Sequence, residues 1–353
     1  MKKVIDYKQI VADAAEELRN HSDWREAFSR YATNIKKAEK TYKKAETVLK
    51  EHLPEEMGFL RVYSSIALVQ KSAKIAYFDL RLFGQSVGGL TVKDNKLYLT
   101  INSKQQENNE LHLKIKTTAN PARKPYPWDS IEAQEIIKTF VEYKGTEADL
   151  HSEEHKYEST ILHDLVQTKS KNKKITYCRP VMLSDYGFFQ MRTVLGASKH
   201  KPKYSMKGRA ATGGGIDILA RIQHKNVLPW RLAVMELKDD NNAKECQPVV
   251  MTQALIYATF IGYLLRDEVC GEQWWNLFRN QNDKREIKKH IDIDVVTVMP
   301  SDKTGTLPES KREDIPVPGI DNVTLHTYSL YVDIDKNCTI TKISGSLCTD
   351  KKE

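Results

Sequence analysis

Residues 213 to 257 constrain this chain more than any other stretch. They read GGGIDILARIQHKNVLPWRLAVMELKDDNNAKECQPVVMTQALIY. Two apolar runs are joined by a polar link containing Asn226, Pro229 and Trp230, which predicts a strand, a connection and a second strand paired as a hairpin. The first run carries Asp217; the second ends in Glu236 and Lys238. Side chains alternate along a strand, so Leu232, Val234, Glu236 and Lys238 share one face, and Ala233, Met235 and Leu237 the other. Charges at the ends of apolar strands are costly unless they pair or hold a metal.

Two readings follow: a buried structural ion pair, or a metal site. The second fits Mg²⁺ (or Mn²⁺), since Mg²⁺ takes one or two carboxylates, with waters and phosphate oxygens completing its shell. Asp217 and Glu236 are the metal candidates. Lys238 can orient or deprotonate an attacking water and steady charge building at phosphorus. Behind the second strand, residues 248 to 266 have helical periodicity. Gln253 and Tyr257 stand one turn apart there and can face the same site.

Gly-Ile-Asp217, Glu236-Leu-Lys238 and Gln253-x-x-x-Tyr257 together resemble the core of the PD-(D/E)XK nuclease superfamily. The last element is similar to that of its exonuclease branch. The resemblance covers roughly residues 155 to 300 and departs at the first motif, where Gly-Ile-Asp replaces Pro-Asp. It implies a restriction-endonuclease-like mixed sheet flanked by helices, and cleavage of nucleic acid, with DNA the expected partner. It also implies an acid on a preceding helix, for which Glu158 in EEHKYESTILHDLV is the best match and Glu154 the rival. The catalytic candidates are therefore Glu158, Asp217, Glu236, Lys238 and Gln253. Glu-x-Lys by itself carries little, because the chain repeats it at Glu142, Glu154, Glu286 and Glu309 in polar or helical surroundings that read as solvated surface.

The net charge of +8 over 353 residues permits a polyanionic partner without requiring one. The basic segment KHKPKYSMKGR runs directly into Gly213, so Lys199, Lys201, Lys203, Lys207 and Arg209 are candidates for phosphate contacts. QTKSKNKK is a second basic loop. The five cysteines form no Cys-x-x-Cys pair and suggest reduced thiols in a cytoplasmic protein without zinc. No signal core is visible at the start, and no stretch approaches 18 consecutive apolar residues, so no membrane span is expected.

The length suggests two domains, an α+β one over residues 1–128 and a nuclease-like α/β one over 129–353. In the first, residues 7 to 52 read as helices. Phe28, Tyr31, Ile35, Ala38, Tyr42, Ala45 and Leu49 form an apolar seam that packs within the domain or against a second copy, as a homodimer. Residues 59 to 116 read as an antiparallel sheet punctuated by Gly84, Gly88, Gly89 and Asp94-Asn95. In the second, ITYCRPVML, GFFQMRTVLG, KKHIDIDVVTVMP, VTLHTYSLYVDI and TITKISGSL read as strands.

Two rival functions stand beside the nuclease. One is a binding or scaffold protein that kept the fold and lost cleavage. The other rests on SDKTGTL, which is similar to the phosphorylated loop of P-type ATPases, with Asp302 as acceptor. The chain after that loop is too short for the remainder of such a domain.

Overall fold

A computed structural model of the chain describes residues 5–64, 74–101, 106–107, 110–111, 125–143, 153–167, 173–182, 187–197, 201–224, 230–239, 246–279, 287, 289–301 and 312–349. The protein is a mixed α/β chain. In order it runs α1 (Tyr7–Asn20), α2 (Asp23–His52), β1 (Leu60–Ser64), β2 (Ile75–Leu82), β3 (Gln85–Lys93), β4 (Lys96–Ile101), β5 (Gln106–Glu107), β6 (Glu110–Leu111), β7 (Tyr126–Pro127), α3 (Ile131–Glu142) and α4 (Glu153–Val166). It continues through β8 (Cys178–Pro180), β9 (Leu195–Gly196), β10 (Lys203–Tyr204), β11 (Met206–Lys207), β12 (Ala210–Ala211), β13 (Ile218–Ile222), β14 (Arg231–Leu237) and α5 (Gln247–Leu265). It closes with α6 (Gly271–Phe278), β15 (Ile291–Met299), β16 (Asp314–Pro316), β17 (Val323–Ile334), β18 (Ile340–Ser344) and α7 (Ser346–Thr349).

These elements form two compact units that are interleaved along the chain rather than divided at one point. One comprises Met1–Ala32, Asp164–Val181 and Gln190–Glu353; the other comprises Thr33–His163 and Met182–Phe189. The helix α3, beyond Trp128, therefore belongs with the antiparallel strands. Its N-cap Ser130 accepts the Ala133 amide, and Gln134 donates to the Trp128 carbonyl at 2.5 Å. Conversely, α1 belongs with the C-terminal half.

The smaller unit holds the expected antiparallel sheet, ordered β1-β2-β3-β4-β7. Asp94 and Asn95 turn β3 into β4 with both residues at positive φ, which suits a two-residue hairpin. The second half of α2 packs here: the Tyr42 ring meets Phe78 edge-on at 5.2 Å, and its hydroxyl donates to the Tyr77 carbonyl at 2.9 Å. Phe28, Ile35, Ala38, Tyr42, Ala45 and Leu49 of the apolar seam are all buried within the chain.

The larger unit is built on a mixed sheet ordered β16-β17-β15-β14-β13-β8, with β18 also paired to β17. Strand β13 runs antiparallel to both of its neighbours, β8 and β14, whereas β14, β15 and β17 run parallel. A parallel step needs a crossover, and α5 supplies the one between β14 and β15. Among the described residues, α5 is the one helix long and apolar enough to cross a membrane, but 89% of that stretch is buried inside the protein. Its sides are covered by β14, β15 and α1, so it is apolar nearly all round. Trp24 and Phe28 close the core edge-on against Phe260 at 5.8 and 4.9 Å, and the Trp274 indole donates to the Phe28 carbonyl at 3.2 Å.

Candidate active site

The hairpin β13–β14 has Ile218 opposite Met235 and Leu219 opposite Val234. Continuing that register by one residue sets Asp217 opposite Glu236. The Leu237 amide donates to Asp217 Oδ2 at 2.8 Å, which aims the carboxylate across the hairpin. Glu236 is buried, 1% exposed, in an otherwise apolar strand. Lys238 Nζ lies 3.5 Å from Glu236 Oε1, and the Lys238 backbone amide bonds to the Val298 carbonyl, tying the strand end to β15. Asp217, Glu236 and Lys238 thus share one sheet face by alternation.

Helix α5 covers that face. Gln247, in its first turn, donates to Thr297 at 3.4 Å, and Thr297 is the register partner of Glu236 on β15. Further along, the Gln253 side-chain amide donates to the Tyr257 hydroxyl at 3.3 Å. Burial raises the pKa of that phenol, as do the Glu236 and Asp217 carboxylates, against the opposing pull of the Gln253 bond and of Lys238. Tyr257 therefore senses both acids, the lysine and the glutamine. It stays protonated at neutral pH and can donate a hydrogen bond to a carboxylate.

The glycine run is the other wall. Residues 191 to 194 lie antiparallel to it: Thr193 N–H bonds to Gly214 O at 2.9 Å and Ile216 N–H to Met191 O at 3.0 Å. Gly214 packs on the Tyr257 phenol so closely that any Cβ there would overlap the hydroxyl and ring. The same segment continues into β9, which pairs with β10, and the following β11–β12 hairpin presents Lys207 and Arg209. Lys201, Lys203, Lys207 and Arg209 are all exposed; Lys199 lies outside the described residues. The ribbon is anchored on α1, where Glu17 accepts the Tyr204 amide at 3.0 Å and His21 stacks on the Tyr204 ring at 4.0 Å.

Of the sequence candidates, Asp217, Glu236, Lys238 and Gln253 come together. Glu158 belongs to the other unit, where it is buried and accepts from the Tyr63 hydroxyl at 3.5 Å, with the Arg81 guanidinium 4.1 Å over the Tyr63 ring. Asp302 lies outside the described residues. Arg192, bridged to Gly215 and exposed, was not among the candidates; the alternation in GFFQMRTVLG marks it as an outward position.

Two carboxylates on neighbouring strands suit Mg²⁺, which keeps much of its water. Among the described residues no group of three or more His, Cys, Asp or Glu side chains is placed to hold a metal ion. The four described cysteine side chains, Cys178, Cys246, Cys270 and Cys338, form no disulfide.

A second polar cluster occupies the opposite sheet face, where Ala233, Asp294 and His326 are neighbours in register. His224 bonds to Asp294 at 2.6 Å, with Arg231 3.6 Å away. His326 lies between Asp314 and Asp292, at 2.7 and 2.8 Å. Burial raises the pKa of both of those carboxyls, but the His326 hydrogen bond, with neighbouring charges, outweighs it and holds them below the ordinary aspartate value.

No protein family, curated protein or solved structure matches this chain in sequence or fold comparison.

Proposed function

We propose that the chain is a metal-dependent nuclease with a restriction-endonuclease-like core, hydrolysing phosphodiester bonds in nucleic acid, with DNA the substrate. The observation that carries this is the pair of acids Asp217 and Glu236 set opposite each other on the hairpin, with Lys238 3.5 Å from Glu236 and the Gln253–Tyr257 pair on the covering helix. A buried ion pair alone needs neither the opposed aspartate nor the glycine-lined approach. The mixed sheet, with its acidic hairpin next to the parallel junction and a helix across the acidic face, supports the fold half of the reading.

In this proposal Asp217 and Glu236 hold Mg²⁺, which when bound supplies a Lewis acid for the phosphate and an acidified water. Lys238 would orient or deprotonate the attacking water, and its ammonium balances the buried Glu236 charge. The Leu237 amide fixes Asp217, while Tyr257 and Gln253 fix the approach to both acids. The exposed lysines of the ribbon attract the phosphate backbone without reading sequence.

The test is a cleavage assay on linear and circular duplex DNA, single-stranded DNA and RNA, with Mg²⁺, Mn²⁺ or chelator. Metal-dependent cleavage reduced about 100-fold or more in both Asp217→Ala and Lys238→Ala is the expected result. Salt-sensitive binding with no cleavage of any substrate would instead support the binding-protein reading. Cleavage surviving in both variants would overturn the assignment of this hairpin.

A further inference from the structure

Three consecutive glycines precede Ile216, and they are not equivalent. At Gly213 a Cβ would come within 2.6 Å of the Thr193 and Leu195 carbonyls. At Gly214 it would overlap Tyr257. Packing alone accounts for both. At Gly215 the nearest described atom to an added Cβ is Gln190 Nε2, at 4.0 Å, and φ there is not positive. Neither space nor backbone conformation asks for glycine at this position.

What surrounds Gly215 does. It is bridged antiparallel to Arg192, and two residues further on is Asp217. As bridge partners Arg192 and Gly215 share one face, while Met191, Thr193 and Ile216 are buried. Arg192 is exposed and makes no ion pair with a carboxylate among the described residues. An exposed guanidinium thus stands beside bare backbone, next to the acid proposed to hold the metal. The far edge of the same segment carries the basic ribbon, through Ser205 N–H to Val194 O at 2.8 Å.

Resting on the nuclease reading, we propose that Arg192 and the open face of Gly215 form the seat of a backbone phosphate adjoining the one cleaved. The guanidinium grips two phosphate oxygens, and the missing side chain at Gly215 is the room that the sugar-phosphate strand needs. Arg192 is a binding residue here and sets where along the strand the hydrolysed phosphate falls.

The test measures binding of labelled duplex and single-stranded oligonucleotides by fluorescence anisotropy, with Ca²⁺ replacing Mg²⁺, across a salt series. Arg192→Ala is expected to weaken binding about tenfold and to reduce the slope of log K against log salt by about 0.9, the loss of one phosphate contact. Arg192→Lys is expected to keep the slope and lose part of the affinity. Gly215→Val is expected to weaken binding with the salt slope unchanged, and Gly215→Ala to do so less. Lys342→Ala, an exposed charge on β18, serves as control and changes neither. Far-UV circular dichroism reports whether each variant folds, and the milder member of each pair decides if the harsher one does not. Wild-type affinity and salt slope in both Arg192 and Gly215 variants would overturn the proposal and leave the nuclease reading standing. A wild-type protein that neither binds nor cleaves any nucleic acid would overturn both.

Discussion

The Tyr257 phenol rests directly on the backbone of Gly214, so the position of a helix side chain is set by a strand that has none. Gly214→Ala must push the ring away or bend the strand. Overpacking of this kind costs about 1–3 kcal/mol. The expected outcome is a melting temperature lowered by a few degrees and cleavage lowered with it. Adding Tyr257→Phe removes only the hydroxyl and leaves the ring in the way, so it should not restore stability. Adding Tyr257→Ala should. Calorimetry of the single and double variants checks this.

The Glu236–Lys238 pair is a site of poor intrinsic stability. Lys238→Ala leaves a buried carboxylate without its neighbouring ammonium, and about 3 kcal/mol of destabilisation is expected. Replacing both, as Glu236→Leu with Lys238→Met, should be neutral or stabilising by about 1–4 kcal/mol, because both desolvation costs vanish together. Urea titrations read the difference. If the double variant is as unstable as Lys238→Ala, the pair holds the fold up rather than burdening it.

Acid should act through His326. The Asp292 and Asp314 carboxyls have folded pKa values held below the ordinary one, so the stability they contribute is complete above about pH 4. It is lost as pH falls through the depressed values. His326→Asn removes the imidazole that bonds to both carboxyls, so the melting temperature of the variant should fall less steeply than that of the wild type below that pH. Thermal scans from neutral pH down to about pH 3 test the sign. Equal slopes in the two proteins would show that other carboxylates carry the acid response.

Cys270 should be inert. Burial pushes its thiol pKa up, and the Asp267 carboxylate that accepts from Sγ at 3.2 Å pushes it further. The reactive thiolate is therefore scarce at any ordinary pH. Brief iodoacetamide treatment followed by mass spectrometry should leave Cys270 unmodified in the folded protein and modify it in urea. Half-buried Cys246 should react faster.

Much of this architecture was legible because it repeats a period. The hairpin carrying Asp217 and Glu236 reads as two short apolar runs, buried along nearly their whole length, and the strands KIAYFDLRLFG and KLYLTI are closed by turn residues whose conformations the structure reproduces at Asp94 and Asn95. The partner of each face was not legible. The seam from Phe28 to Leu49 announces an apolar stripe, yet nothing in its spacing says that Phe28 meets Phe260 and Trp274, more than 200 residues away, while Tyr42 meets Phe78. Arg192 escaped notice for a related reason. Alternation marks it as outward but gives it no partner, and only its bridge to Gly215 sets it near Asp217. Glu158, matched by resemblance, is buried beside Tyr63, a partner that its helical spacing does not announce.

The interleaving of the two units has a consequence for how the chain is made. The unit holding the acidic hairpin needs residues from Met1–Ala32 as well as Gln190–Glu353. Helix α1 leaves the ribosome long before α5, against which it packs. The unit of Thr33–His163 lacks only Met182–Phe189 and so can gather while the first helix still waits. The birth of this protein is therefore ordered by topology: α1 waits for α5 to be made, and a fragment started at residue 129 would emerge with Phe260 and Trp274 stripped of the aromatic cover that Trp24 and Phe28 provide.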